Sequence, residues 1–387
     1  MRRRLGYDGI VVAVPVSVPY RRFSTRTAHA FLGELLRTML ARANLPKARI
    51  DGLCVSSFSL APDTAIALTE HFGMSARWVD HVPFGGASGI VALHRAARAV
   101  QAGDAEIVAC LAGDTNDPDA FRRSTAAFSR FGQDAAYPYG ASGTNAAVAL
   151  LTDHYMRTFG AEAADLGRIC VAQRTNAGAY PNALLRSAMT MEDYLASRPI
   201  AEPLRLFDCV MPCAGAEGFL VMHRETAEAE GLPHASLLGL VERHNAYPDD
   251  PIQTRAGWAD GREDLYAQAG IGPDRIDFAE LYDDYPVVVA IQLEDLGFCE
   301  KGEAKAFLAA HDLTNAGTFP INTCGGQLSG GQAGAAGGYL GVVEAVRQLT
   351  DAAEGAPVAR ADIGLVTGFG MINYDRGLSA GAAILSR

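Results

Sequence analysis

Apolar residues recur along this chain in two alternating patterns. From Arg26 to Ala43 they fall on one face at spacings of three and four, which predicts an amphipathic helix. The runs 10–18 and 106–113 are almost continuously apolar, which is typical of strands buried on both faces. Helices that alternate with such strands predict a layered α/β fold.

The same order of patterns returns in the second part of the chain. A helix, a proline turn, the tripeptide Arg-Ile-Asp and a strand follow one another around residues 49–51 and again around 275–277. In both parts a glycine-rich turn then precedes a helix, at Gly85–Gly86 and at Gly330–Gly331. We therefore predict an internal duplication with two similar halves, related by a pseudo-twofold axis.

The glycine-rich segment 319–339 indicates where the chemistry lies. Glycine costs roughly 0.5–1 kcal/mol relative to alanine inside regular structure, so its density indicates backbone that approaches other backbone or a ligand. Helix N-termini carry partial positive charge and unpaired N–H groups, which suits a carbonyl oxygen or an anion. We predict a pocket between the halves, where the two glycine turns meet.

The segment between the halves is polar, aromatic and rich in loops, with one helix and strand at 144–156. Such excursions usually carry substrate specificity. We assign 1–113 and 144–156 to the N-terminal half, 114–143 and 157–231 to an insertion, and 232–387 to the C-terminal half.

Composition narrows the class of partner. The chain has 387 residues, 49% of them hydrophobic, and a net charge of −11 with no basic stripe, which argues against nucleic acid and anionic membranes. No window approaches the ~20 apolar residues of a membrane-spanning helix, and no signal peptide is expected. The seven cysteines are scattered without zinc-ligand spacing, so we expect reduced thiols, no metal and a cytoplasmic protein.

Three long motifs make the chain similar to the thiolase superfamily, in the branch of sterol-carrier-type thiolases and the lipid-transfer-protein aldolases of steroid side-chain breakdown. They are Ala-Glu-Pro-Leu-Arg-Leu-Phe-Asp-Cys at 201–209, a segment at 280–302 that begins Glu-Leu-Tyr-Asp-Asp-Tyr-Pro, and Asn-Thr-Cys-Gly-Gly-Gln-Leu-Ser at 322–329. The resemblance spans nearly the whole chain. It implies the thiolase fold, with two duplicated βαβαβαββ halves and a loop-rich insertion after the first, and a homodimer.

The resemblance also implies that the family's thiol chemistry is missing. The position of the nucleophilic cysteine aligns with Gly86, the catalytic histidine with Gln332, the asparagine with Tyr282, and the second cysteine lies near Val366. A thiolase needs a thiolate that accepts the acyl group and a base that activates it. The resemblance therefore favours a retro-aldol reaction, as in the related aldolases, which needs no covalent intermediate.

In the family, backbone N–H groups hold the thioester oxygen, and such groups would persist in this chain. The N–H groups of Gly86 and Gly368 match the donors that hold the thioester oxygen in the family, and each such donor contributes roughly 2.7–4 kcal/mol. Tyr282 matches a tyrosine position of the aldolases. With Gln332 and Asp283 these residues form the expected catalytic set.

The base of a retro-aldol reaction is not fixed by the sequence. Glutamine cannot exchange a proton at neutral pH, so Gln332 does not replace the histidine as a base. Asp283, Asp284 and Tyr285 all lie next to Tyr282 and stay open as substitutes.

Further residues are expected to bind substrate. They are Asn322 and Ser329 in the third motif and Arg123 and Arg174 in the insertion, which in the family meets the phosphates of coenzyme A. The substrate implied is an acyl-CoA thioester, with no covalently bound cofactor. The resemblance also implies a small OB-fold or zinc-ribbon partner protein.

Three functions follow in order of preference. The first is cleavage or formation of a carbon–carbon bond in an acyl-CoA thioester, with retro-aldol cleavage in lipid, steroid or aromatic breakdown as the preferred reaction. The second is a non-catalytic subunit that binds acyl-CoA or a partner. The third is a divergent acyltransferase of the acetyl-CoA acetyltransferase type, whose nucleophile, such as Cys324, lies elsewhere.

Overall fold

The computed structural model describes residues 6–119, 130–141, 143–373 and 376–387. The strands within these ranges are β1 (Ile10–Arg21), β2 (Gly52–Ser56), β3 (Trp78–His81), β4 (Ile107–Asp114), β5 (Pro199–Ala201), β6 (Leu204–Arg205), β7 (Ala214–His223), β8 (His234–His244), β9 (Phe278–Glu280), β10 (Ile363–Asn373) and β11 (Arg376–Ser386).

The helices are α1 (Ala28–Ala43), α2 (Ala65–Phe72), α3 (Ser88–Ala102), α4 (Arg130–Ala135), α5 (Gly143–Phe159), α6 (Ala163–Ala179), α7 (Met191–Ala196), α8 (Arg224–Ala229), α9 (Gly257–Ala269), α10 (Pro286–Asp295), α11 (Ala304–Ala310), α12 (Gly326–Gly330) and α13 (Gly337–Leu349). Across the described ranges, none of the helices has both the length and the apolar composition needed to cross a bilayer.

The strand order shows the predicted duplication. Nine strands form one sheet in the order β3-β2-β4-β7-β1-β8-β11-β10-β9. In the first half β2 is parallel to β3 and β4, while β7 is antiparallel to β4 and β1. In the second half β9 is parallel to β10, and β11 is antiparallel to β10 and β8. A parallel bridge from Ile321 to Ala279 marks the place that β3 holds in the first half.

The two halves are joined at β1 and β8 and by two central helices. The strands pair antiparallel between Val11 and Ser236 and over the two residues that follow. Helices α3 and α13 share one hydrophobic cluster with strands of both halves. A Cβ at Gly89 would overlap the carbonyl oxygen of Gly338, so these two helices approach each other at glycine. Helix α1 covers the outer face of the first half, and α9 and α10 cover that of the second.

The insertion leaves the sheet after β4 and returns at β7. The expected helix and strand at 144–156 form a single helix, α5, whose buried residues Val148, Leu151 and Tyr155 join the hydrophobic cluster of the second half. Strand β7 lies inside the range 157–231 assigned to the insertion, yet it pairs with β1 and β4. Its apolar pattern is broken by the buried Glu217, which hides the strand in the sequence. The domain division therefore stays a proposal, with β7 counted in the first half.

The turn that opens the second central helix lies later than predicted. Gly330 ends the short helix α12, and Gly331 has a φ of 107°, a backbone conformation that favours glycine. A 3₁₀ turn at Gly334–Ala336 then leads into α13, as the 3₁₀ turn Gly85–Ala87 leads into α3. The equivalent of Gly85–Gly86 is therefore Gly334–Ala336 and not Gly330–Gly331.

Candidate active site

The turn before α3 is enclosed by backbone of the second half. Strand β10 crosses it so closely that a Cβ at Gly370 would lie 2.8 Å from the amide nitrogens of both Gly86 and Ala87. A Cβ at Gly368 would lie 3.1 Å from the carbonyl oxygen of Gly86. The structure thus brings the predicted pair Gly86 and Gly368 together, and side chains on this part of β10 would clash with the turn.

The phenol ring of Tyr282 occupies the space above Gly86. A Cβ at Gly86 would overlap the ring and hydroxyl of Tyr282. The backbone of Tyr282 is fixed just beyond β9, because its N–H donates to Thr367 Oγ1 at 2.8 Å and its carbonyl oxygen accepts from Gln292 Nε2 at 2.7 Å. A thiol nucleophile at residue 86 and this tyrosine position exclude each other.

Gln332 holds the phenol oxygen from the other glycine-rich segment. Its Nε2 donates to Tyr282 Oη at 3.3 Å and to Gln327 Oε1 at 3.1 Å. Burial, followed by the charges of Asp284 and Asp283, raises the pKa of Tyr282 well above its ordinary value, so the phenol keeps its proton. Because the oxygen accepts from Gln332, the hydroxyl hydrogen is available to another acceptor.

Asp283 sets the direction of this hydrogen-bond chain. Its Oδ1 accepts from the N–H of Gln327 at 2.9 Å and from Gln327 Nε2 at 3.4 Å, and its Oδ2 accepts from the N–H of Leu328 at 3.1 Å. Burial raises the pKa of Asp283 to about 7, although these bonds favour the charged form. A carboxylate only accepts, so it turns the Gln327 amide nitrogen toward itself and the amide oxygen toward Gln332. Asp283 thus positions the donors that hold Tyr282.

Asp284 and Tyr285, the two residues after Asp283, have different hydrogen-bond partners from it. Asp284 is 8% exposed, and its Oδ1 has no hydrogen-bond partner among the described residues. Burial, then the charge of Asp283, raises the pKa of Asp284. Tyr285 donates to Asn145 Oδ1 at 2.5 Å and lies 2.8 Å from Thr144 Oγ1, so its hydroxyl is engaged by α5 of the insertion.

Asn322 supports the segment that carries Tyr282. It has a φ of 50°, and its Oδ1 accepts from the N–H of Leu281 at 2.7 Å. Its Nδ2 is buried without a partner in the described part of the chain. A small cavity of about 10 Å³, close to the size of one water molecule, lies between Asn322, Tyr282, Gln327 and Thr367. The geometry gives Asn322 a supporting position beneath the site.

Arg174 and Ser329 meet on the side of the insertion. Arg174, on α6, donates from Nε to Ser329 Oγ at 3.1 Å, and its guanidinium carbon lies 5.2 Å from the centroid of the Phe207 ring. The residue is 6% exposed, and burial lowers the pKa of its guanidinium. No carboxylate within the described ranges forms an ion pair with it. Arg123, the other predicted arginine, lies outside the described residues.

The alternative nucleophiles are engaged or buried. Burial raises the pKa of the Cys324 thiol, and the side chain packs against Tyr180 and Leu340 in a separate apolar cluster. Ser88 Oγ donates to the carbonyl of Val82 and accepts from the N–H of Phe84, both at 3.1 Å. Neither residue has the geometry of an activated nucleophile.

Two residues of the site were not found from the sequence. Gln327 joins Asp283 to Gln332, and its place in the glycine-rich segment five residues before Gln332 was the available signal. Asp114, at the end of β4, accepts from the N–H of Ala335 at 2.8 Å and so closes the second turn. Nothing in its local pattern distinguishes it from a surface aspartate at a strand end.

Comparison with known proteins shows the family and the fold of the chain. A family described as "Thiolase C-terminal domain-like" matches residues 240–387. The chain is 33% identical over 367 residues to the 17-hydroxy-3-oxo-4-pregnene-20-carboxyl-CoA lyase of Mycobacterium tuberculosis, covering 90% of this chain and 93% of that one. The chain belongs to the thiolase superfamily, in the branch that contains steroid side-chain aldolases and sterol carrier protein 2-type thiolases.

Three further comparisons concern the branch and the fold. A steroid side-chain-cleaving aldolase of Thermomonospora curvata is 33% identical over 333 residues, which cover 81% of this chain and 83% of the aldolase. The solved Ltp2-ChsH2(DUF35) aldolase superposes with a TM-score of 0.80 at 29% identity, over 98% of this chain and 97% of that chain. A monomeric SCP2-thiolase-like protein from Mycobacterium smegmatis, with a TM-score of 0.72 at 15% identity, covers 99% of this chain and 78% of that chain and shows the fold alone. The predicted fold class is confirmed.

Proposed function

We propose that the protein is a thiolase-fold lyase that cleaves a β-hydroxyacyl-CoA thioester by a retro-aldol reaction without a cysteine nucleophile. One observation carries the proposal: the Tyr282 phenol fills the space above Gly86 where the nucleophile of a thiolase would stand. The same position cannot hold both groups. The site therefore has a proton donor in place of a thiol.

The retained groups suit a thioester enolate. The enolate oxygen lies at the turn before α3, where the partial positive charge of the helix N-terminus and the N–H groups of Gly86 and Gly368 stabilise it. Tyr282 remains protonated because of its raised pKa and donates a hydrogen bond to the reacting oxygen. Gln332 keeps the phenol oxygen in place.

The relatives support the choice of reaction and substrate. Two of them, each 33% identical to this chain, are named as a carboxyl-CoA lyase and a steroid side-chain-cleaving aldolase. We extend to this chain a CoA thioester as substrate and a role in the breakdown of steroids or related lipids. Its location in the cytoplasm stays a prediction.

Arg174 is the candidate contact for the coenzyme. A buried guanidinium without a carboxylate partner carries an uncompensated charge, which an anion on the ligand would neutralise. We assign to Arg174 a phosphate of coenzyme A, with Ser329 as the residue that orients the guanidinium. Asn322 then acts by supporting Tyr282.

The assembly is a further part of the proposal. The solved relative at TM-score 0.80 is described as an Ltp2-ChsH2(DUF35) aldolase, so it contains a second protein. We propose a homodimer of this chain that binds a small OB-fold or zinc-ribbon protein, encoded next to it.

The test is direct. The protein, alone and with the product of its neighbouring gene, is incubated with β-hydroxyacyl-CoA thioesters, including one with a steroid side chain. We expect an aldehyde or ketone together with the shortened acyl-CoA, both identified by mass spectrometry. The absence of cleavage in every combination contradicts the proposal.

A second function, an acyl-CoA-binding subunit without catalysis, is favoured by one observation. The glutamine at residue 332 cannot transfer a proton, although the family has a histidine there. Micromolar binding of CoA thioesters without cleavage in any combination would select this function.

A further inference from the structure

Two adjacent buried acids, Asp283 and Asp284, follow Tyr282 in the chain, and they differ in their hydrogen-bond partners. Asp283 accepts hydrogen bonds from two backbone N–H groups of α12 and from the Gln327 side chain. Asp284 is 8% exposed against 2% for Asp283. The backbone N–H groups of Asp284 and Tyr285 interact with its carboxyl, yet its Oδ1 has no hydrogen-bond partner in the described part of the chain. An unpaired buried carboxyl oxygen is costly, so a position of this kind calls for a ligand that donates to it.

Asp284 is the direct neighbour of the site residues in the chain. It directly follows the pair Tyr282 and Asp283, and of these two acids Asp284 has the larger effect on the pKa of the Tyr282 phenol. The titratable groups that face it are Asp283 and Tyr282 on its own segment, Tyr285 at the start of α10, and Cys209 from the insertion. Neither acid has a lysine or arginine within ion-pair distance among the residues described.

We propose that Asp284 is the catalytic base of the cleavage, and that Asp283 is a positioning residue. This inference rests on the proposed function and names the group that the sequence left open among Asp283, Asp284 and Tyr285. Tyr285 is set aside because α5 engages its hydroxyl. Asp283 is set aside because α12 and Gln327 take its oxygens.

The proposed reaction returns the proton that it removes, so it needs no reactant besides the substrate. The Asp284 carboxylate takes the proton of the β-hydroxyl, and the electron pair of that O–H bond forms the new carbonyl. The Cα–Cβ bond breaks, and its electron pair passes into the thioester enolate at the turn before α3. The carboxyl then returns the proton to Cα, which gives the shortened acyl-CoA and restores the carboxylate. Burial raises the pKa of Asp284, which makes its carboxylate a stronger base for this exchange.

The test compares two matched variants, Asp284→Asn and Asp283→Asn, with the wild-type protein in the cleavage assay. Asparagine keeps the shape and cannot take the proton, so we expect Asp284→Asn to lower kcat by about 10²–10⁴-fold with little change in KM. Exchange of the Cα hydrogens of the shortened acyl-CoA in D₂O should fall in parallel. Asp283→Asn should lower Tm and affect cleavage less. Cleavage by Asp284→Asn within threefold of wild type overturns the inference while the proposed lyase function stands.

A second measurement covers the case in which Asp284→Asn does not fold. The pH dependence of kcat/KM in the wild-type protein reports the essential base of the free enzyme. We expect activity to fall on acidification with a midpoint well above the ordinary value of an aspartate, about 3.9. A profile that is flat from pH 5 to pH 8 overturns the inference. If the wild-type protein shows no cleavage at all, the proposed function itself fails.

Discussion

The two 3₁₀ turns that open the central helices have the same backbone form and different neighbours. The turn Gly85–Ala87 is covered by the phenol of Tyr282 from the second half. The turn Gly334–Ala336 is closed by the carboxylate of Asp114 from the first half, whose Oδ2 accepts from the N–H of Ala335. The turn Gly85–Ala87 faces the Tyr282 phenol, whose hydroxyl hydrogen remains available. The turn Gly334–Ala336 faces the Asp114 carboxylate, whose two oxygens both accept hydrogen bonds.

The difference shows how a duplicated fold divides its work. Asp114 Oδ1 also accepts from Ser57 Oγ, from Ser59 Oγ and from the N–H groups of Phe58 and Ser59, at 2.5–2.9 Å. Each oxygen is satisfied, so the second turn is a rigid joint between the halves. At the first turn the phenol oxygen accepts one hydrogen bond from Gln332, and we propose that its hydroxyl hydrogen donates to a substrate oxygen. We propose that the first turn serves the reaction and that the second turn serves stability.

Among substitutions at the two turns and their neighbours, the largest effect on kcat is expected from Tyr282→Phe, which removes the hydroxyl that distinguishes the first turn. We expect kcat to fall by about 10³-fold, within the usual range for a lost proton donor, with acyl-CoA binding kept. Steady-state kinetics and a binding titration measure the two parts. Tyr266→Phe is the matched control, because Tyr266 is a buried tyrosine whose hydroxyl donates to the carbonyl of Leu296, away from the site. Unchanged kcat in Tyr282→Phe removes this residue from the mechanism.

A smaller loss is expected from Gly86→Ala, which pushes the ring away from the first turn. The added methyl group overlaps the far end of a side chain that can shift, so we expect the protein to fold and kcat to fall about 10²-fold through misplacement. Gly178→Ala on α6 is the control, since a Cβ there lies 3.7 Å from its nearest neighbour. Equal activity of the two variants would show that the phenol is not needed at this position.

At the second turn, Gly334–Ala336, we expect a substitution to change the stability of the protein and not its kcat. In Asp114→Asn an amide nitrogen replaces one carboxylate oxygen and faces a donor, so we expect a loss of about 1–3 kcal/mol in the free energy of unfolding. Urea titration measures it, and the exposed Asp104→Asn serves as the control. A kcat that falls as far as in Gly86→Ala, with stability unchanged, would contradict the division between the turns.

The smallest effect on kcat is expected at the joint between the halves at the other end of α13, where only stability should respond. Ser17 Oγ donates to Glu217 Oε2 at 2.6 Å and accepts from Arg347 Nη2 at 2.8 Å. Burial raises the pKa of Glu217 to about 8, against about 4.3 in an unfolded chain. The folded state therefore binds the proton more tightly, and the resulting stability is complete below pH 4.3 and lost as the pH rises to about 8.

Glu217→Gln should remove that part of the pH dependence. We expect Tm of the wild-type protein to fall by roughly 4 °C more than that of the variant between pH 5 and pH 8. The pKa difference corresponds to about 3.5 kcal/mol over this range, and unfolding of a chain of this length carries an entropy of about 0.8 kcal/mol/K. Thermal unfolding of both proteins at the two pH values measures the difference. Parallel curves would show that Glu217 has an ordinary pKa in the folded state.

The sequence predicted the architecture of the fold more accurately than the boundaries of its strands and helices. The repeated proline turn and Arg-Ile-Asp tripeptide revealed the duplication because each half repeats the same local chemistry. Strand β7 was missed because Glu217 and its glycines interrupt the apolar run, which only the tertiary network around Arg347 explains. The start of α13 was misplaced because a glycine-rich segment has no pattern that separates a turn from a short helix.

The sequence predicted those residues of the site that can be located from their positions in the motifs. Gly86, Tyr282 and Gln332 came from aligned motifs, and the structure brings them together. The roles of Asp283 and Asp284 could not be separated, because the two acids are neighbours in sequence and differ only in what α12 donates to them. Gln327 escaped notice since its function depends on the chain folding back onto Asp283.

The most direct test of the account is the mass of the intact protein during turnover. The enzyme is mixed with excess β-hydroxyacyl-CoA, quenched with acid in the steady state, and the protein and the products are both measured by mass spectrometry. We predict aldehyde or ketone and shortened acyl-CoA alongside protein of unchanged mass, because no acyl group is transferred to the chain. A protein mass increased by that of the acyl group would contradict cleavage without a covalent intermediate.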